Sequence, residues 1–296
     1  MGIALGHAPG CAPTSSSHGR KRVVLACSDL HIGYSAADSG DIDGEQWFAS
    51  AINDIKSNVA PVDYAVVLGD IANDGELSEY QKYLSIRAQS GIAEWYELAG
   101  NHDYYGDNGI AEYRQYIDND MTYGLIDGNL AWFFLSDEQN STQGEISDST
   151  AAWLKATILR YHRSHTIIVC SHQLVYGTVR DSAVADRCIY PLETVADILD
   201  SVQVDVWLAG HQHWYPWSLQ DVFSTGRTAF INIASMTHAY GTGESQSFVL
   251  EFEQGSKILN AKRRVHDTAS HDNTISIPLR IAADFEESLQ RLRLNP

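Results

Sequence analysis

Val23-Val24-Leu25-Ala26-Cys27-Ser28-Asp29-Leu30-His31 is the stretch from which the rest of the chain can be read. An apolar run of this length suits a buried strand, and at its carboxyl end stand a small residue, a carboxylate and an imidazole. A small residue followed by a carboxylate, an amide or an imidazole returns in Gly69-Asp70 after Tyr64–Leu68, Gly100-Asn101-His102-Asp103 after Trp95–Ala99, Ser171-His172 after Thr166–Cys170, and Gly210-His211-Gln212-His213 after Val204–Ala209. Proteins of alternating strands and helices build sites at the carboxyl ends of strands, where several loops meet and the sheet fixes the backbone. If these strands are neighbours in one sheet, the blocks converge on one edge that can hold two metal ions.

Side chains of an extended chain alternate between faces, so Asp29 with His31, and His211 with His213, are expected to reach one side together. Imidazole, carboxylate and a neutral amide oxygen suit manganese, iron or zinc. No block contains cysteine, which speaks against a structural zinc cage.

Working outward, apolar strand-like runs alternate with amphipathic segments, the pattern of an α/β layered fold. Helices are predicted over Glu45–Ser57, Leu77–Gln89, Ile110–Ile117, a segment capped by Ser147 or Asp148, and Pro191–Ser201. Leu130–Leu135 reads as a further buried strand. Beyond the last block, Thr228–Ile233, Ser247–Glu253 and Ile258–Arg264 follow one another without helices and predict a second, antiparallel sheet. Phe285, Leu289 and Leu292 suggest a short helix over Asp284–Leu294.

Composition bounds the function. The chain has 296 residues, 44% apolar and 20% charged, enough for one sizeable domain. No window approaches the ~18 consecutive apolar residues of a membrane span. A formal net charge of −18 opposes long nucleic acids and anionic membranes, whose phosphates call for a broad basic face. Cys11, Cys27, Cys170 and Cys188 have no paired spacing and read as small buried hydrophobes, pointing to a reducing, cytoplasmic compartment. Residues 1–22 lack the order of a signal peptide and read as a disordered leader or a remnant foreign to the native chain. Asp38, Asp41, Asp43 and Glu45 miss the spacing of a calcium loop and read as a solvated acidic loop.

The block series Asp-x-His, Gly-Asp, Gly-Asn-His-Asp, His and Gly-His-x-His, from Asp29 to His213, resembles the calcineurin-like metallophosphoesterase superfamily. The resemblance implies a two-sheet β-sandwich flanked by helices. Residues 23–266 are expected to form this domain and residues 267–296 a C-terminal tail with the short helix. It implies two divalent or mixed-valence metal ions. Asp29, His31 and His213 would bind one, Asn101, His172 and His211 the other, and Asp70 would bridge them. His102 would donate a proton to the leaving oxygen or stabilise phosphoryl charge, oriented by Asp103 or Asp74. Two ions ~3.5–4 Å apart can activate a shared hydroxide for in-line attack on a phosphoester.

Gly69-Asp70-Ile71-Ala72-Asn73-Asp74-Gly75 lacks the phosphate-binding arginine of the protein serine/threonine phosphatases, and Asn73 stands where purple acid phosphatases place a ligand tyrosine. What remains is similar to the bacterial-type branch of cyclic-nucleotide phosphodiesterases and broad phosphatases. Two divalent ions bring four positive charges and Asp29 and Asp70 remove two. A diester monoanion with hydroxide balances the remainder better than a monoester dianion does. The expected activity is hydrolysis of a small phosphodiester such as a cyclic nucleotide. The alternatives are a broad phosphomonoesterase and a non-catalytic metal-binding scaffold. Tyr104, Arg180, Trp214 and His238 are the candidate substrate contacts, the first and third as stacking surfaces, Arg180 as a phosphate fork.

Overall fold

The computed structural model describes residues 19–35, 43–59, 61–139, 143–180, 182–213, 217–222, 226–237, 244–285 and 289–293. The first half runs β1 (Lys21–Cys27), α1 (Gly44–Asn58), β2 (Tyr64–Leu68), α2 (Leu77–Ala88) and β3 (Glu94–Leu98), then α3 (Ala111–Tyr116), β4 (Thr122–Asp127) and β5 (Leu130–Leu135). Next come β6 (Gly144–Glu145), α4 (Asp148–Tyr161), β7 (Thr166–Ser171), β8 (Ile189–Tyr190), α5 (Leu192–Ser201) and β9 (Val206–Ala209). The chain closes with β10 (Trp217–Val222), β11 (Gly226–Asn232), β12 (Gln246–Glu253), β13 (Ile258–Val265), β14 (Ser270–Pro278) and β15 (Gln290–Arg293).

Two large sheets form, in the orders β14-β13-β12-β1-β2-β3 and β10-β11-β9-β7-β5-β4-β15. The period of two sorts their side chains into separate cores. In β1, Val24 and Ala26 face the other sheet, whereas Leu25 and Cys27 pack with Phe48 and Ile52 of α1. In β5, Trp132 and Phe134 enter the inter-sheet core while Ala131 and Phe133 pack with Leu154 and Ile158 of α4. Strands covered on both faces read as continuous apolar runs, which is why they stand out in the sequence. Each fully buried large side chain contributes about 1.5–3 kcal/mol, and Trp132, Phe134, Phe248 and Phe252 supply much of the centre. The result is an α/β fold of two mixed sheets flanked by helices, as expected.

Helix limits follow local chemistry. Ser147 caps α4 by accepting a hydrogen bond from the Thr150 amide at 3.3 Å, and Asp43 with Gln46 forms a capping box for α1.

Three expectations are corrected. The strands before the blocks do not share one sheet: β1, β2 and β3 lie parallel in the first, β7 and β9 in the second. The three late runs do not form a sheet of their own. The run at Gly226–Asn232 joins β9, and β12 and β13 extend the first sheet beyond β1. Nor is there a helix at the described C-terminal residues: β15 pairs with β4, and Phe285 is buried between the sheets. Helical spacing of Phe285, Leu289 and Leu292 loses to the unpaired backbone groups along the β4 edge, which a strand satisfies and a helix cannot. Strands β4 and β10 carry no clear pattern and were not anticipated.

Cys27, Cys170 and Cys188 are free and buried. No helix among the described residues is long and apolar enough to cross a membrane.

Candidate metal centre

The loops that follow β1, β2, β3, β7 and β9 meet at the same end of the two sheets, so the centre is assembled from both. Asp29 and His31 are not on an extended strand. Their φ angles are 53° and 43°, and those of Asp70, His211 and His213 are 52°, 69° and 57°. This left-handed backbone is uncommon for residues with side chains and concentrates at functional sites. The turns are locked by cross-loop hydrogen bonds: the Asp29 amide to the Gly69 carbonyl at 3.1 Å, and the His31 amide to the Asp70 carbonyl at 3.0 Å. Paired reach of Asp29 and His31 therefore comes from these turns and not from strand alternation.

Ligand atoms converge in groups that share members. Asp29, His31 and His213 bring one atom each to within 4.8 Å of one another, and so do Asp70, His172 and His211. His31 Nε2 lies 3.1 Å from His213 Nε2, and His213 Nε2 lies 3.2 Å from Asp29 Oδ1. His172 Nε2 is 3.1 Å and His31 Nε2 3.9 Å from Asp70 Oδ2, so Asp70 stands between the groups. A third grouping, His31, Asp70 and His102, brings the His102 imidazole to the same place.

The opposite atom of several of these side chains is occupied. Asp29 Oδ2 accepts from the His211 amide at 3.0 Å, and Asp70 Oδ1 from the His102 amide at 2.9 Å. His172 Nδ1 donates to the Leu68 carbonyl at 2.7 Å, leaving Nε2 to face Asp70. Such outer partners fix the orientation and tautomer of a metal-binding ring.

Electrostatics test whether cations fit. Asp29 Oδ1 and His172 Nε2 are buried and make no hydrogen bond among the described residues. Buried polar atoms are normally paired, and metal ions would satisfy these. Burial drives the His31 and His211 imidazoles down to about 3, so both are neutral and able to ligate. Burial works against the Asp29 carboxylate, yet the facing His213, followed by His172, holds it at about 2. Burial lowers His172 too, but Asp70 outweighs it and draws a proton there. The donor set of carboxylates, imidazoles and one amide fits two ions, with Asp70 shared.

His102 lies at the rim, its ring edge-on to His31 with centroids 4.6 Å apart. Its Nδ1 donates to the Asn73 carbonyl at 2.7 Å, so a backbone oxygen takes the orienting position predicted for Asp103 or Asp74. Asp103 is instead turned inward, where it accepts from the Gly100 amide at 2.9 Å, the Ala72 amide at 3.1 Å and the Tyr80 hydroxyl at 3.1 Å. Burial, aided by Asp70, pushes its carboxyl up to about 6. Asp74 is exposed and accepts from the Asn73 side chain at 3.0 Å.

Asn101 is buried, as a ligand should be. Tyr104 is half-buried and donates its hydroxyl to the Asp137 carbonyl at 2.6 Å, which ties it to the frame. Tyr105 borders the centre. It is 45% exposed, its ring packs on His102 with centroids 4.5 Å apart, and its hydroxyl accepts from Asn101 Nδ2 at 3.1 Å. Tyr104 was the residue expected from the sequence to meet substrate; the 3-10 turn at His102–Tyr104 sets the direction of each of these adjacent tyrosines and brings Tyr105 onto His102. Sequence reasoning also passed over Gln173 and Asp137, both buried and joined by a hydrogen bond of 2.7 Å. Arg180 is exposed on the segment after β7. Trp214 and His238 lie outside the described residues.

Comparison with known proteins agrees with this architecture. The chain resembles the structure of the purple acid phosphatase PPD1 from yellow lupin seeds, with TM-score 0.65 and 12% identity over 88% of this chain and 54% of that one. It thus spans about half the length of the lupin protein. It also resembles GAP50, the anchor in the inner membrane complex of Plasmodium, with TM-score 0.60 and 14% identity over 88% of this chain and 89% of the other. At these identities the likeness concerns the fold. No curated protein matches the chain. The sequence model of the calcineurin-like phosphoesterases matches residues 22–215, most of the chain and every one of the blocks, and the protein belongs to that family.

Proposed function

We propose that this protein hydrolyses a small phosphodiester, such as a cyclic nucleotide, with two metal ions held by Asp29, His31, Asp70, Asn101, His172, His211 and His213. The reading is carried by the convergence of two ligand groups on Asp70, with a further imidazole, His102, beside them. When bound, the ions would supply Lewis acidity and an activated water.

The residues of the chain divide the remaining work. Asp29 and Asp70 each spend one oxygen on a backbone amide, which keeps the other in a fixed direction. His102 Nδ1 is tied to the Asn73 carbonyl, so Nε2 is the atom offered to the leaving oxygen, where it gives up a proton as the ester bond breaks. Tyr105 covers one side of that imidazole and offers a partly exposed ring to the organic part of a substrate.

The diester preference rests on charge. Two divalent ions and two carboxylates leave two positive charges, which a hydroxide and a monoanionic diester neutralise. The acidic chain adds a long-range bias against more highly charged substrates.

The test is hydrolysis of bis(p-nitrophenyl) phosphate, p-nitrophenyl phosphate and a 3′,5′-cyclic nucleotide by the purified chain in manganese. Higher kcat/KM for the diesters is expected. Equal or greater monoesterase activity would make the protein a broad phosphatase, and two bound ions with no turnover of any ester would leave a metal-binding scaffold.

A further inference from the structure

Asn101 differs from the other candidate ligands in having two chemically unlike ends, an oxygen that can ligate a cation and an NH2 that cannot. Something must hold the amide the right way round. An asparagine that turns over would present hydrogens to the ion.

Two contacts decide the orientation. On one side Nδ2 donates to the Tyr105 hydroxyl at 3.1 Å. On the other, Oδ1 faces Gln173 Nε2 at 3.5 Å, a long and weak contact by itself. Gln173 Nε2 gains its direction from a stronger bond to Asp137 Oδ2 at 2.7 Å. A carboxyl acceptor turns the NH2 of Gln173 towards itself, and that same nitrogen then faces Asn101 and asks it for an oxygen. Among the described residues, Gln173 Oε1 is left buried without a hydrogen bond, pressed where even a Cβ on Gly144 would come within 2.3 Å. An unpaired buried oxygen costs about 1–3 kcal/mol, but turning the amide over would set Oε1 against the acceptor oxygens of Asp137 and Asn101 and lose the bond to Asp137, so the orientation with Nε2 towards both is the one held. Asp137 is itself anchored, its amide donating to the Ala99 carbonyl at 3.1 Å, two residues before Asn101.

We infer that Asp137, Gln173 and Tyr105 form a chain of positioning residues that sets the Asn101 amide oxygen towards the metal position made with Asp70, His172 and His211. The inference rests on the two-metal reading of the centre, but not on which ester is hydrolysed.

Calorimetric titration of the full chain with Mn2+ alone tests it, with ester hydrolysis followed separately. Wild type is expected to show two sites. Tyr105→Phe keeps the ring on His102 and removes only the acceptor for Nδ2; it should weaken one site about tenfold to a hundredfold and leave the other within about twofold. Gln173→Met should weaken the same site. Tyr105 is exposed, so the first variant remains informative if the second fails to fold. Unchanged affinities in Tyr105→Phe, equal weakening of both sites, or a wild-type chain that takes one ion would each overturn the assignment. Two ions bound without hydrolysis would instead defeat the proposed activity while the variant comparison still decides this inference.

Discussion

At the scale of single residues, His102 and Asp103 show how neighbours in sequence part ways in space. The 3-10 turn at His102–Tyr104 sends the imidazole outward to His31 and the carboxyl inward to Gly100, Ala72 and Tyr80. Asp103 thus braces the loop that carries Asn101, and burial, aided by Asp70, accounts for its raised pKa. His102 lends its ring to the centre, but the ligand groups Asp29-His31-His213 and Asp70-His172-His211 are complete without it. Replacing it should therefore separate chemistry from metal binding. His102→Ala is expected to lower kcat by about 10²- to 10⁴-fold while metal content by elemental analysis stays at two ions per chain. Loss of an ion in that variant would instead make His102 a ligand.

At the scale of elements, the geometry depends on how closely the ends of β2, β3 and β7 approach. Gly69 ends β2 with φ 86°, and a Cβ there would stand 2.5 Å from His172 Nδ1 and 2.9 Å from the Gly100 Cα. Neither neighbour can give way, since His172 is held to the Leu68 carbonyl and Gly100 is backbone. Left-handed strain and the clash act together on the ring whose Nε2 stands 3.1 Å from Asp70. Gly69→Ala is expected to lower stability by about 2–4 kcal/mol in urea unfolding and to abolish binding of at least one Mn2+. A variant that unfolds at the wild-type midpoint and binds both ions would contradict the packing described. The same level explains why β15 is a strand. Edge pairing with β4 satisfies its backbone, and Arg291 lies over the Tyr123 ring at 3.8 Å from its centroid.

At the scale of the whole molecule, Asp29, His31, Asp70 and Asn101 come from the first sheet and His172, His211 and His213 from the second. Ions held between them would tie the two halves of the sandwich at the end where the inter-sheet core gives way to loops. Ligands that bind only the folded state stabilise it, by about 2.7 kcal/mol for a site at one hundred times its Kd. Chelation with EDTA should therefore lower Tm by several degrees, and Mn2+ should restore it; an unchanged Tm would mean that the centre holds no ion tightly. The formal charge of −18 adds to the expected loss, because removing cations leaves Asp29 and Asp70 buried beside one another's field.

The sequence by itself determined the layering and the reacting groups. Strands covered on both faces must be continuously apolar, and ligands must be imidazoles, carboxylates or amides, so β1, β2, β5, β7 and the blocks from Asp29 to His213 carry their meaning in residue type alone. Tertiary structure alone decided which sheet each strand joined, since strand pairing is settled by distant partners such as β1 with β12 and β15 with β4. It alone turned Asp103 inward, set Asn73's carbonyl on His102, and brought Gln173 and Asp137 beside Asn101. Gln173 and Asn101 stand 72 residues apart in the chain, and a hydrogen bond between polar side chains leaves no periodic trace in sequence. Their roles exist only in the folded molecule, because direction and distance, not residue type, create them.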